Sequence, residues 1–113
     1  MHSMSSRAAA AVLGLLAAGA AGAQSTNGQA LATSKACMAC HQVDAKRVGP
    51  PLRSVAERYA GQSEALDYLA GKIRRGGSGV WGAVPMPAQT QVSEEDARLL
   101  AEWVLSLAPA KQP

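Results

Sequence analysis

The sequence predicts a small all-α domain of about four helices, and three observations carry that expectation. Apolar residues recur at helical spacing in four segments, and the segments are separated by glycine, proline or capping residues. No paired strands, βαβ unit or internal repeat is visible. The third observation concerns size. Of the 113 residues, 1–23 read as a secretory signal peptide: Arg7 in a short basic start, an uncharged apolar run from Ala8 through Ala21, and a small-residue cleavage site at Ala21-Gly22-Ala23. That alanine-rich run is too weakly apolar for a retained anchor, which needs roughly 20 strongly apolar residues. The expected mature chain, 24–113, is thus one domain with no stable membrane insertion.

The first helix is expected from Ala30 to about Ala39, with Leu31, Ala32, Ala36 and Ala39 as a weak stripe and Thr26 or Asn27 as the N-cap. It runs directly into Cys37-Met38-Ala39-Cys40-His41. Val48-Gly49-Pro50-Pro51 then breaks the chain, and Pro51 suits the first position of a second helix carrying Leu52, Val55, Ala56 and Tyr59. Gly61 is placed to stop it. A third helix starts at Ser63, buries Leu66, Leu69 and Ile73, and ends in Arg74-Arg75-Gly76-Gly77, where positive charge suits the carbonyl end. Residues 76–91 form a glycine- and proline-rich loop, long enough in so small a domain to imply a task. The last helix has the clearest start: Ser93 as N-cap, Glu94, Glu95 and Asp96 in its first turn, and Val92 as a staple. Its expected buried stripe is Leu99, Leu100, Trp103, Val104 and Leu107, and a frayed tail follows from about residue 108.

Those helices have little with which to fill a core. The mature chain holds only Tyr59, Tyr68, Trp81 and Trp103 as aromatics and no phenylalanine. Small secreted domains usually compensate with disulfides or a metal, yet Cys37 and Cys40 are too close together to staple much chain. A multi-domain enzyme, a disulfide scaffold and a large self-sufficient core are excluded. Charge adds less: the eleven basic residues less Arg7 leave ten against eight acidic ones, a net +2. No clustered basic face calls for nucleic acid. Lys46, Arg47, Arg53, Arg58, Lys72, Arg74 and Arg75 nonetheless lie in the middle third, which polarises the molecule against Glu94, Glu95 and Asp96.

The chemistry sits in Cys37-x-x-Cys40-His41. Two thiols three residues apart can each add to one vinyl group of a haem, and the adjacent His41 is then held at the iron as proximal ligand. A thioredoxin-type dithiol shares the spacing but belongs beside a βαβ unit. Structural zinc needs four ligands, and the mature chain offers two cysteines and one histidine. An inert disulfide or a chance match is the remaining alternative. A second axial ligand follows by elimination. His2, Met1 and Met4 leave with the signal peptide, and Met38 is locked between the cysteines, so Met86 remains, on a loop stiffened by Pro85 and Pro87.

The sequence resembles the class I cytochromes c, specifically the small bacterial monohaem cytochrome c-551 type. Cys37 to His41, Val48-Gly49-Pro50, the segment from Gly79 to Pro87 and the terminal Trp103-Val104-Leu105-Ser106 carry the likeness, which spans nearly the whole mature chain. The resemblance implies an all-α domain wrapped around one covalently bound haem c, with the first and last helices crossing. It makes Cys37 and Cys40 the thioether attachments, His41 the proximal ligand and Met86 the distal one. It further implies that the Pro50 carbonyl accepts from the His41 ring, and that Trp81 donates its indole N–H to a haem propionate rather than packing in the core. Lys72 stands where the family often carries an arginine on a propionate, so a point charge replaces a planar fork. Ala32 stands where the family places a large aromatic, with Leu31 and Trp103 to compensate. Gln89 or Thr90 replaces an asparagine near the ligand sulfur.

With both axial positions filled, function reduces to gaining and losing one electron. The expected protein is a periplasmic, monomeric carrier, not an enzyme, that meets redox protein partners in brief, salt-sensitive encounters. Alternatives are a dedicated electron-accepting subunit of a periplasmic dehydrogenase, and a haem enzyme or gas sensor in which Met86 is displaced.

Overall fold

A computed structural model describes residues 2–3, 9–14 and 23–109. Most of the expected signal peptide and the end of the tail lie outside the described residues. Four helices, α1 (Ala23–Ser34), α2 (Leu52–Tyr59), α3 (Ala65–Arg75) and α4 (Glu94–Ser106), and one 3₁₀ turn (Cys37–Ala39) form the fold. Among the described residues no strand forms, and a single antiparallel bridge joins Gly77 to Met86. The all-α expectation holds.

Helix α4 is the hub, packing against α1, α2 and α3. Its start follows the sequence: Ser93 is extended and its hydroxyl accepts from the Asp96 N–H at 3.1 Å, while Val92 is buried. The inward stripe runs Ala97, Leu100, Ala101 with Val104 partly buried, at i, i+3, i+4 and i+7. Leu99 falls off that stripe and is 43% exposed, contrary to expectation. Trp103 is buried on the flank that meets α1.

Helices α2 and α3 follow their punctuation with shifts of one or two residues. Pro51 precedes α2 as its extended cap instead of opening it, and its carbonyl accepts from Val55 N–H at 3.2 Å. Ala60 and the left-handed Gly61 (φ 78°) end the helix. Helix α3 begins at Ala65 rather than Ser63 and ends at Gly76 (φ 70°), whose N–H returns to the Lys72 carbonyl at 2.8 Å.

Helix α1 departs most from the sequence reading. It starts at Ala23, so Thr26 and Asn27 lie inside it, and it stops at Ser34 instead of running to Ala39. Packing decides its placement. A Cβ on Gly28 would sit 2.2 Å from Trp103 Cβ, so the missing side chain lets α1 and α4 cross closely. Buried Ala32 and Trp103 join the core there, which is how the crossing is achieved without a large aromatic on α1. Ala36, left-handed at φ 62°, then turns the chain at a cost of about 1–2 kcal/mol.

The core is as thin as the composition implies. Leu100 and Val92 are the largest fully buried side chains among the described residues, and much of the remaining cluster is alanine.

Candidate cofactor site

The turn after Ala36 is tight: Cys40 N–H and His41 N–H both donate to the Cys37 carbonyl, at 3.2 and 3.1 Å. Both cysteines are free thiols. Burial pushes the Cys37 thiol up, partly offset by a backbone hydrogen bond. A redox dithiol needs the opposite shift, and no βαβ unit is present among the described residues. No group of three potential metal-ligating side chains occurs among the described residues.

The chain then folds back over His41. Val48 and Gly49 N–H groups both donate to the Cys40 carbonyl, at 3.2 and 2.8 Å. Gly49 lies close against the imidazole, where a Cβ would come within 2.4 Å of Cε1. The next residue supplies the partner: His41 Nδ1–H donates to the Pro50 carbonyl at 2.9 Å. A carbonyl cannot donate, so Nδ1 carries a proton, and the tautomer this bond selects is the one that presents Nε2 as the ligating nitrogen. Arg53, from α2, holds this loop from outside, donating to Asp44 at 2.5 Å and to the Leu107 carbonyl at 2.6 Å.

The 76–91 loop forms the opposite wall. Gly77 and Met86 exchange two main-chain hydrogen bonds, of 3.0 and 2.8 Å, and Gln89 N–H donates to the Ile73 carbonyl at 3.0 Å. Gly76 is required at the foot of the loop, since a Cβ there would lie 2.3 Å from the Met86 carbonyl oxygen. The Met86 backbone is thus fixed by the chain itself. Gln89, one expected substitute for the family asparagine, turns its amide to the Pro87 carbonyl at 3.0 Å, and neither it nor Thr90 lines the cavity described next.

Between these walls lies a mostly apolar cavity of about 410 Å³, within the roughly 300–1,000 Å³ usual for ligand sites. Cys40, His41, Pro50, Lys72, Trp81 and Met86 all line it. Cys37 does not; it sits half-buried behind the turn, packed on the helical core. Trp81 is 40% exposed, which makes it a rim residue and not core. Lys72 Nζ lies 5.6 Å from the centroid of the Tyr68 ring, and Tyr68 in turn packs on Tyr59 with centroids 5.2 Å apart.

Two residues escaped the sequence reading as site residues. Arg58 lies over the Trp81 ring at 4.7 Å and donates to the Val80 carbonyl at 3.1 Å. Arg53 braces the His41 loop. Each acts across elements far apart in sequence, and neither sits in a motif.

The residues present fit a covalently attached haem: two free thiols three apart with Cys40 on the cavity wall, an imidazole with a proton on Nδ1, a thioether on a braced backbone, and an apolar cavity lined by both His41 and Met86. Comparison with known proteins agrees. The family described as Cytochrome c matches residues 25–108. Cytochrome c-552 of Hydrogenobacter thermophilus is 56% identical over 89 residues, covering 79% of this chain and 89% of that one. Cytochrome c-551 of Pseudomonas aeruginosa is 46% identical over 99 residues, covering 85% and 94%. The crystal structure of Nitrosomonas europaea cytochrome c552 superposes with a TM-score of 0.68 at 52% identity, covering 70% of this chain and 98% of that one. The chain therefore belongs to the cytochrome c family, as a small class I monohaem electron carrier that works with redox partners, is not an enzyme, and carries one covalently attached haem c.

Proposed function

We propose that the protein is a periplasmic, monomeric one-electron carrier of respiration whose iron is held by His41 Nε2 on one side and Met86 Sδ on the other. The observation that carries this reading is that one apolar cavity is lined by both side chains, each on a backbone braced independently of the other. Cys37 and Cys40 would hold the ring covalently, and the Pro50 carbonyl would keep His41 in the Nδ1–H tautomer and make Nε2 more basic. A haem c bound there supplies an iron centre that gains and loses one electron. As a soft ligand the Met86 thioether would favour the reduced state, and the apolar walls would penalise the more highly charged oxidised state. Trp81, which lines the cavity at its rim, would donate its indole N–H to a propionate, and Lys72, which also lines the cavity, would add positive charge.

The export signature at 1–23 supports the periplasm, and no helix among the described residues is long and apolar enough to cross a membrane. Exposed Val48, Val80 and Val84 near the cavity, with Lys46 lining it, suit brief docking of a redox protein.

The test is spectroscopic. The holoprotein should be low-spin at neutral pH, show a sulfur-to-iron charge-transfer band, and refuse carbon monoxide when reduced. Met86→Ala should lose the band, admit carbon monoxide and lower the potential by on the order of hundreds of millivolts, within the roughly 0.8 V that axial ligands command. A high-spin parent spectrum overturns the ligand assignment.

A further inference from the structure

The tip of the 76–91 loop is bound loosely by its own means. Gly79 (φ 94°) and Gly82 (φ 117°) bracket it, Val80 and Trp81 are exposed, and its internal hydrogen bond is a single turn contact from Gly79 N–H to the Gly82 carbonyl at 2.8 Å. The α2 side chain of Arg58 is what crosses to it. One guanidinium nitrogen donates to the Val80 carbonyl at 3.1 Å while the guanidinium carbon stands 4.7 Å from the Trp81 ring centroid. The same group lies 5.9 Å from the Tyr59 ring. A planar fork can hydrogen-bond in its plane and stack on its face at once; an ammonium cannot do both in this way.

We propose that Arg58 is a positioning residue for the cofactor site: it latches the loop tip to α2 and so sets the plane of the Trp81 indole at the cavity rim. Trp81 lacks core packing to hold its ring, so the latch supplies the orientation that burial supplies elsewhere. The role rests on the reading of Trp81 as the propionate donor. Arg58 itself does not line the cavity and acts through Trp81.

The experiment uses the intact holoprotein, with NMR of the Trp81 indole N–H and amide exchange at Gly79, alongside potentiometry. In Arg58→Lys, which keeps the charge and loses the fork, Gly79 exchange should rise about two- to fivefold and the indole resonance should shift, with Arg58→Ala showing at least as much. Arg47→Ala, an exposed cation off the loop, should leave both signals where they were. Unchanged exchange and an unchanged indole resonance in both Arg58 variants would falsify the latch. Trp81→Phe separates the two ideas. If it leaves the potential unmoved while Arg58→Lys still frees the tip, the donor reading fails and the latch stands; if Trp81→Phe shifts the potential while Arg58→Lys leaves the tip as it was, the latch alone is lost.

Discussion

The α1–α4 crossing and the 76–91 loop are both built around glycine, and they use it in opposite ways. At Gly28 the missing side chain admits Trp103, so backbone meets a buried aromatic and the contact is apolar packing. At Gly76 the missing side chain admits the Met86 carbonyl, so backbone meets backbone and the contact is hydrogen bonding around an exposed strip of chain. The first arrangement contributes to the stability of the whole domain. The second fixes where the Met86 backbone sits. A protein with so thin a core can therefore keep its scaffold and its loop wall on separate mechanical terms, provided the cavity between them is filled.

The largest perturbation should remove what fills it. In the Cys37→Ala, Cys40→Ala double variant, made without haem, binding energy that is also folding energy is absent, and the small alanine-rich core must stand alone. We expect most of the cooperative stability, typically about 5–15 kcal/mol for a domain, to vanish, leaving a weak and gradual far-UV melt. A sharp, native-like melt would mean that the α1–α4 scaffold is self-sufficient, and the comparison would break on that side.

Gly28→Val comes next. It drives a side chain into Trp103 and should cost about 3 kcal/mol, near the upper end for overpacking. Chemical denaturation would show a lower midpoint, while the visible spectrum of the remaining folded protein should be that of the parent. A change in iron coordination instead would show that the two regions are coupled.

Gly76→Ala should have the smallest effect on global stability and the reverse signature. Its backbone, at φ 70° and ψ −165°, is nearly forbidden to other residues, and a Cβ meets the Met86 carbonyl oxygen. We expect about 1–2 kcal/mol in denaturation with a disproportionate weakening of the sulfur–iron band. Equal losses in both readouts would erase the distinction.

Much of this was legible in the sequence where the signal was local. Ser93 with three acidic neighbours announced α4, Gly61 and Gly76 announced helix ends, and the Cys37-to-His41 spacing named the chemistry. What was not legible depended on contacts across the chain. Helix α1 has almost no amphipathic stripe, and its position is set by Gly28 meeting a residue 75 positions later. Its end was misread because an alanine, Ala36, adopts the conformation expected of glycine. Leu99 is expected in the stripe with Leu100, Trp103, Val104 and Leu107, yet the stripe set by Ala97 and Ala101 passes it by. Arg58 and Arg53 were indistinguishable from other surface cations until α2 was placed beside both loops.

The paired main-chain bonds between Gly77 and Met86 carry one more consequence. Because amide and carbonyl groups hold residue 86, whatever side chain stands there inherits the same address. On the ligation proposed above, the loop would act as a socket: a change of the one side chain at residue 86 would change the donor offered to the iron while the main-chain frame stayed as it is.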